Sequence, residues 1–88
     1  MFRAVADPIR RALIDELRDR NDQSLFELCT RVMARGAQVS RQAVSKHLAV
    51  LVEAGLLSIE RVGRTSIHHL DVTPLDELRD WLDRKGER

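Results

Sequence analysis

The sequence predicts a mainly α fold carrying one small β-hairpin. Two observations lead there. Apolar residues recur at helical spacing in stretches that open on an N-capping residue, as in "DPIRRALIDEL" and "SLFELCTRV". Ahead of the last such stretch, "LLSIERV" and "TSIHHLDV" are short, rich in Ile, Val, Leu and Thr, and separated only by Gly63-Arg64. A chain of 88 residues makes one small domain, and such a domain buries only about 60% of its unfolded surface. One Trp, two Phe and no Tyr require an aliphatic core.

In "ADPIRRALIDELRDRND", Asp7 is placed to cap a helix and Pro8 to occupy its first position. Ile9, Leu13, Ile14 and Leu17 give a helix over about 8–20, ended by Asn21 and Asp22. Arg10 falls within the apolar arc, which predicts a partly buried ion pair of structural role. The preceding "MFRAVA" is too apolar for a free tail and reads as a short packed helix. Ser24 and Glu27 form a capping box ahead of a second helix, with Leu25, Leu28, Cys29, Val32 and Met33 facing inward and Gly36 as the stop. Ser40 caps a third helix over about 40–54, closed by Gly55.

The Gly63-Arg64 pair, with Gly first, predicts a type II′ hairpin turn. Alternation puts Leu57, Ile59 and Ile67 on one face, Arg64 at the tip and Arg61 just before it. Thr73 as N-cap and Pro74 at the first position start a last helix over about 74–85, where Leu75, Leu78, Trp81 and Leu82 form a narrow stripe suited to pairing with another helix. Two helices joined by a short Gly-containing turn over about 24–54, followed by an Arg-tipped hairpin over about 57–70, make a winged helix-turn-helix.

The charge distribution points the same way. Net charge is +1, but residues 31–70 hold Arg31, Arg35, Arg41, Lys46, Arg61 and Arg64 against Glu53 and Glu60 only, between acidic ends. A basic middle suits a nucleic-acid surface. On the third helix, Gln42, Ser45, Lys46 and Ala49 stand at i, i+3, i+4 and i+7 and share a face. Gln pairs with adenine, Lys with guanine edges or phosphate, Ser with either, and Ala admits close approach and a thymine methyl. Ser40 and Arg41 sit at the helix N-terminus, where Arg41 is placed to grip phosphate of double-stranded DNA. A solvated face would favour Glu–Lys pairs instead. His47 lies beside Val44 and Leu51 on the inner arc, so it packs there or reaches phosphate from the helix edge. His68 and His69 are adjacent on a strand, point to opposite faces and cannot chelate together.

The segments "FRAVADPIRRALIDEL", "SRQAVSKHLAVLVEAGLL" and "ERVGRTSIHHLD" resemble the ArsR/SmtB family of bacterial winged-helix repressors over nearly the whole chain. The resemblance implies a homodimeric transcriptional repressor on an inverted-repeat operator, joined through its first and last helices. Phe2, Val5, Leu75, Leu78, Trp81 and Leu82 are the expected interface, since one small protomer cannot cover them all. Soft-metal sensors of the family carry ELCxC in the second helix. Here "ELCTR" has Cys29 in the first place and Arg31 in the second. One thiolate beside an arginine does not hold a soft cation. The last helix offers Asp76, Glu77, Asp80 and Asp83 but no histidine for the family's other common site. No metal site and no cofactor are expected, and Cys29 reads as a small buried hydrophobe, with a redox-sensing thiol as the alternative.

Other classes fit less well. The chain lacks a nucleophile–base–orienter set and a Gly-rich phosphate loop, so it is not read as an enzyme. A winged helix that binds protein would show apolar or acidic side chains where Gln42, Ser45 and Lys46 stand. A single cysteine excludes an internal disulfide and suits a reducing, cytoplasmic setting. No apolar run approaches the roughly 18 residues of a membrane span, and the N-terminus lacks a signal-peptide pattern. Nothing in the sequence names an effector.

Overall fold

A computed structural model describes residues 2–86, with side chains from Ala4 to Arg84. The order is α1 (Phe2–Ala6), α2 (Pro8–Asp19), β1 (Gln23–Ser24), α3 (Leu25–Ala34), α4 (Arg41–Glu53), β2 (Leu57–Val62), β3 (Thr65–Leu70) and α5 (Thr73–Gly86). The mainly α fold with a hairpin wing is therefore as expected. None of the described helices is long and apolar enough to cross a membrane.

The helix starts follow their capping chemistry. Asp7 Oδ1 accepts the N–H of Ile9 at 2.8 Å and of Arg10 at 3.2 Å, with Pro8 in the first turn of α2. Ser24 and Glu27 exchange both capping-box bonds, 3.2 and 3.0 Å, at α3. Ser40 Oγ accepts the Ala43 N–H at 3.1 Å at α4.

Both helices of the helix-turn-helix end alike. The Ala37 N–H donates to the Val32 carbonyl (3.1 Å) and the Gly36 N–H to that of Met33 (3.0 Å). Leu56 to Leu51 and Gly55 to Val52 repeat the pattern, both at 3.0 Å. This is the Schellman arrangement, which needs a left-handed residue at its corner. Gly36 and Gly55 supply it at φ +97° and +80°, where a Cβ would be strained. At the second corner Leu51 and Leu56, both fully buried, close over the bond.

The core gathers Leu13, Ile14 and Leu17 of α2, Leu28, Cys29 and Val32 of α3, Val44, Leu48 and Leu51 of α4, then Leu56 and Leu57. Each fully buried aliphatic of this kind contributes about 1.5–3 kcal/mol. Glu16 is buried among them, and its carboxylate takes the Arg35 guanidinium at 2.7–2.8 Å and Arg31 Nε at 3.7 Å. Arg35 also reaches Asp19 at 3.0 Å, so the end of α3 is fastened to α2 by charge.

Several expectations are corrected. The hairpin is part of a three-stranded antiparallel sheet, ordered β1-β3-β2, because Gln23 and Ser24 pair with His68 and Ile67. Asn21 extends that edge: its Oδ1 accepts the Leu70 N–H at 2.8 Å and its Nδ2 donates to the Leu70 carbonyl at 3.3 Å. The register pairs Leu57 with Leu70 and Ile59 with His68, whereas Ile67 pairs with Glu60. Cross-strand partners share a face, so Ile67 lies on the face opposite Leu57 and Ile59. Ile59 itself is half exposed, because only the base of the wing reaches the core. Met33 is exposed as well, since the inner arc of α3 is filled by Leu28, Cys29 and Val32. Finally, α5 begins at Thr73 rather than Pro74, and Asp71 Oδ1 accepts the Thr73 N–H at 3.0 Å.

The Glu16 contacts yield a stability prediction. Arg35→Met leaves a buried carboxylate with a weakened partner, a loss of about 1–3 kcal/mol. Urea denaturation of the two proteins at neutral pH measures it, and an unchanged midpoint would show the bridge to be dispensable.

Candidate nucleic-acid interface

The inner edge of α4, Val44, Leu48 and Leu51, is fully buried, which turns the opposite edge outward. Arg41, Gln42, Ser45, Lys46 and Ala49 are all exposed there, with the cap Ser40 at the same end. Across from them stands the wing. Residues Leu57, Ile59 and Arg61 of β2 share the face of Leu70, His68 and Ser66 of β3.

A concavity of about 250 Å³ between the two is lined by Ser45, Leu48 and Ala49 of α4, Ile59, Ser66 and His68 of the sheet, and Leu25. A second, of about 310 Å³, continues past Leu25 and Ser66 to Arg41, Arg64, Thr65, Ser24 and Phe26. The sharing of Leu25 and Ser66 makes them one groove, apolar on its floor and cationic at one end. The turn at its tip has Gly63 at φ +63° and no left-handed Arg64, as a type II′ turn requires. Arg61 NH1 donates to Ser66 Oγ at 3.4 Å, which lays the arginine along the wing.

His47 belongs to a different junction. It is half-buried, and its Nδ1 accepts from Arg10 NH1 at 3.2 Å and lies 4.0 Å from Asp7 Oδ1. Arg10 Nε donates to the Ala4 carbonyl at 2.8 Å. The half-buried Arg10 thus joins α1 and α2 to α4. With Nδ1 accepting, Nε2 carries the ring proton.

The basic middle is only partly available. Arg31 and Arg35, counted with it from the sequence, face Glu16 and Asp19 of α2 instead. Arg41, Lys46, Arg61 and Arg64 are the cations of that segment that border α4's outer face and the wing. Sequence reasoning missed Phe26, exposed at the mouth of the groove, together with Thr65 and Ser66. Phe26 is out of phase with the buried Leu28, Cys29 and Val32, and that mismatch was its signal.

Cys29 is buried, and burial pushes its thiol up from the ordinary value against the opposing charge of Arg41. Among the described residues no group of three His, Cys, Asp or Glu side chains stands close enough to hold a metal ion. His68 is buried with Nδ1 donating to the Gln23 carbonyl at 3.2 Å, and burial holds its pKa below the ordinary value. At the other end of the molecule Val5, Leu75 and Leu78 are half-buried, while Trp81 and Leu82 are 49% and 44% exposed. The Phe2 side chain lies outside the described residues.

A family described as "Helix-turn-helix domain" matches residues 5–60. The chain is 36% identical to the uncharacterized HTH-type transcriptional regulator YuzN of Bacillus subtilis, covering 94% of this chain and 92% of that one. It is 39% identical to the HTH-type transcriptional regulator Rv2034 of Mycobacterium tuberculosis, over 94% and 72%. Among solved structures, an ArsR-like transcriptional regulator from Rhodococcus sp. RHA1 superposes with a TM-score of 0.83 at 36% identity, over 97% and 72%. The chain belongs to the ArsR/SmtB family. As a member of it, the protein is a DNA-binding transcriptional regulator and not an enzyme. In helix-turn-helix proteins the second helix of the motif is the one that enters the major groove, and α4 is the second helix of the motif in this order of elements.

Burial of Cys29 sets an expectation. A thiol reagent at pH 8 should label it at least about tenfold more slowly in the folded protein than in urea, since the reactive thiolate is both scarce and shielded. Equal rates would show an accessible, reactive thiol.

Proposed function

We propose that the protein is a homodimeric, cytoplasmic repressor acting on an inverted-repeat operator, with residues 1–88 serving as one DNA-binding domain. The observation that carries this reading is the single groove bordered by the exposed edge of α4 and by Arg64 of the wing. Gln42, Ser45 and Ala49 read base edges in the major groove, and Lys46 contacts guanine or phosphate. Ser40, Arg41, Arg61 and Arg64 hold backbone phosphates, which fix the register of α4 without reading sequence. His47 supports α4 from behind through Arg10 and offers Nε2–H to a phosphate at the helix edge.

Dimerisation has separate support. Trp81 and Leu82 are large apolar side chains about half exposed on α5, next to Leu75 and Leu78. A two-fold axis through α1 and α5 covers these residues and Val5 and Phe2 with their own copies. It also holds two α4 helices about 34 Å apart, or a multiple of it, to match successive half-sites. Repression accords with relatives described as repressors: SdpR of Bacillus subtilis, 28% identical, and SmtB of Mycobacterium tuberculosis, 31% identical. The chain spans 57% of SmtB. Neither a metal nor a cofactor has a part in this reading, given the single buried thiol in "ELCTR".

Selection of bound duplexes from random DNA tests the reading, with a two-fold symmetric motif expected. On that operator, Lys46→Ala and Arg64→Ala should weaken cognate and random DNA alike and each lower the salt slope by about one unit. Gln42→Ala should cost roughly 1–3 kcal/mol on the cognate site and relax one base position. Equal losses on both DNAs for the Gln42 variant would remove it from base readout.

Trp81→Ala should weaken the dimer by about 3–5 kcal/mol, the range for truncating a buried Trp, and lower operator affinity in step. Sedimentation at micromolar concentration reads the first quantity. A wild-type monomer that binds the full operator would overturn the dimer.

A further inference from the structure

We propose that His69 is a proton-operated clamp on the wing, its ring bridging the carboxylates of Asp22 and Glu60; the consequence for DNA rests on the reading above. The imidazole stands on β3, the central strand of the sheet. Its Nδ1 faces Asp22 Oδ1, and its Nε2 faces Glu60 Oε1 at 3.0 Å. Asp22 sits in a left-handed turn, φ +66°, directly before β1, and Glu60 is on β2. One side chain therefore joins the two outer edges of the sheet across its middle strand.

The chemistry of the ring makes this bridge conditional. A neutral imidazole has one N–H and one lone pair, and only the imidazolium has two donors. Both carboxylates are bonded together when the ring is protonated. On deprotonation one of the two loses its donor and faces a lone pair. The carboxylates also lie at opposite ends of the ring, so they cannot close with it on a single metal ion.

The remaining neighbours do not substitute for the proton. His68, next in the chain, is on the opposite face and donates to the Gln23 carbonyl. Arg61, next to Glu60, is also on that opposite face and donates to Ser66. The Leu70 backbone is held by Asn21. Asp22 and Glu60 are the charged groups that face the ring.

The bond to Asp22, then that to Glu60, raises the His69 pKa above its ordinary value. A raised folded value means the clamp is complete below about 6.5, the ordinary histidine value, and is lost as pH rises through the raised value. The switch therefore works above the ordinary histidine value. Where it is closed, the hairpin that carries Arg61 and Arg64 is tied to the turn before β1, and one of two acidic charges beside the wing is neutralised. β1 is only two residues long, so backbone pairing alone gives that edge little hold on the hairpin. Opening the clamp loosens the tie between the wing and the turn before β1, and leaves both acidic charges beside the wing unneutralised.

The test combines histidine titration by NMR, methyl relaxation of Val62 and Ile67, and DNA binding at pH 6 and 9. His69 should titrate above about 6.5, and Asp22→Asn and Glu60→Gln should each bring it down. The methyls should be more mobile at pH 9 than at pH 6 in the wild type, and equally mobile at both in His69→Gln. Operator affinity should fall between pH 6 and 9 by about twofold to fivefold more in the wild type than in His69→Gln, the scale of exposed ion pairs. Titration at or below the ordinary value, or wing methyls indifferent to pH, would overturn the clamp. The same pH dependence of operator binding in both proteins would overturn its effect on DNA. High titration and a stiffened wing without binding to any duplex at pH 6 would instead sustain the clamp and defeat the DNA-binding reading.

Discussion

The burial of one edge of α4 is the constraint on which the rest depends. Val44, Leu48 and Leu51 are sealed against α2 and α3, and rotating the helix to expose them would forfeit several fully buried side chains at about 1.5–3 kcal/mol each. That cost fixes the azimuth of the helix. Its opposite edge, with Gln42, Ser45, Lys46 and Ala49, is thereby presented to solvent as a rigid surface. The Schellman corners at Gly36 and Gly55 then fix the angle at which the chain enters and leaves α4. Through Leu56 and Leu57 the second corner also anchors the base of the wing in the same core.

Polar contacts refine this arrangement from behind. Arg35 and Arg31 hold the end of α3 to the buried Glu16 of α2. Arg10 spans from the Ala4 carbonyl to His47, and so couples α1 and the start of α2 to the back of α4. The groove is therefore backed by a frame in which helix positions are set by both packing and charge. A displacement of α1 would be felt at α4 through the Arg10 junction.

Charge is sorted by the fold rather than by composition. Of the six cations in residues 31–70, Arg31 and Arg35 turn toward α2, leaving Arg41, Lys46, Arg61 and Arg64 around the groove. A net charge of +1 gives no long-range basic field, so in the proposed reading attraction to phosphate rests on this local cluster and responds to carboxylates beside it. Glu60 neighbours Arg61 on β2, and His69 stands between it and Asp22.

Local chemistry was enough to determine much of this from the sequence. Asp7, Ser24 and Ser40 cap their helices through bonds spanning two or three residues, Gly36 and Gly55 end theirs by a backbone angle, and Gly63-Arg64 turns a hairpin. The shared face of Gln42, Ser45, Lys46 and Ala49 follows from helical spacing alone, and the exposure of each follows from the apolar phase of the same helix. What tertiary structure decided were pairings between distant segments. The strand Gln23–Ser24 is too short to announce itself and exists because β3 offers it partners some 45 residues away. The face of Ile67, by contrast, was already set by the two-residue turn, which pairs it with Glu60 and so turns it away from Leu57 and Ile59. Which arginines meet α2 and which meet the groove, and that His69 falls between two carboxylates, are set by helix and strand placement that spacing does not encode.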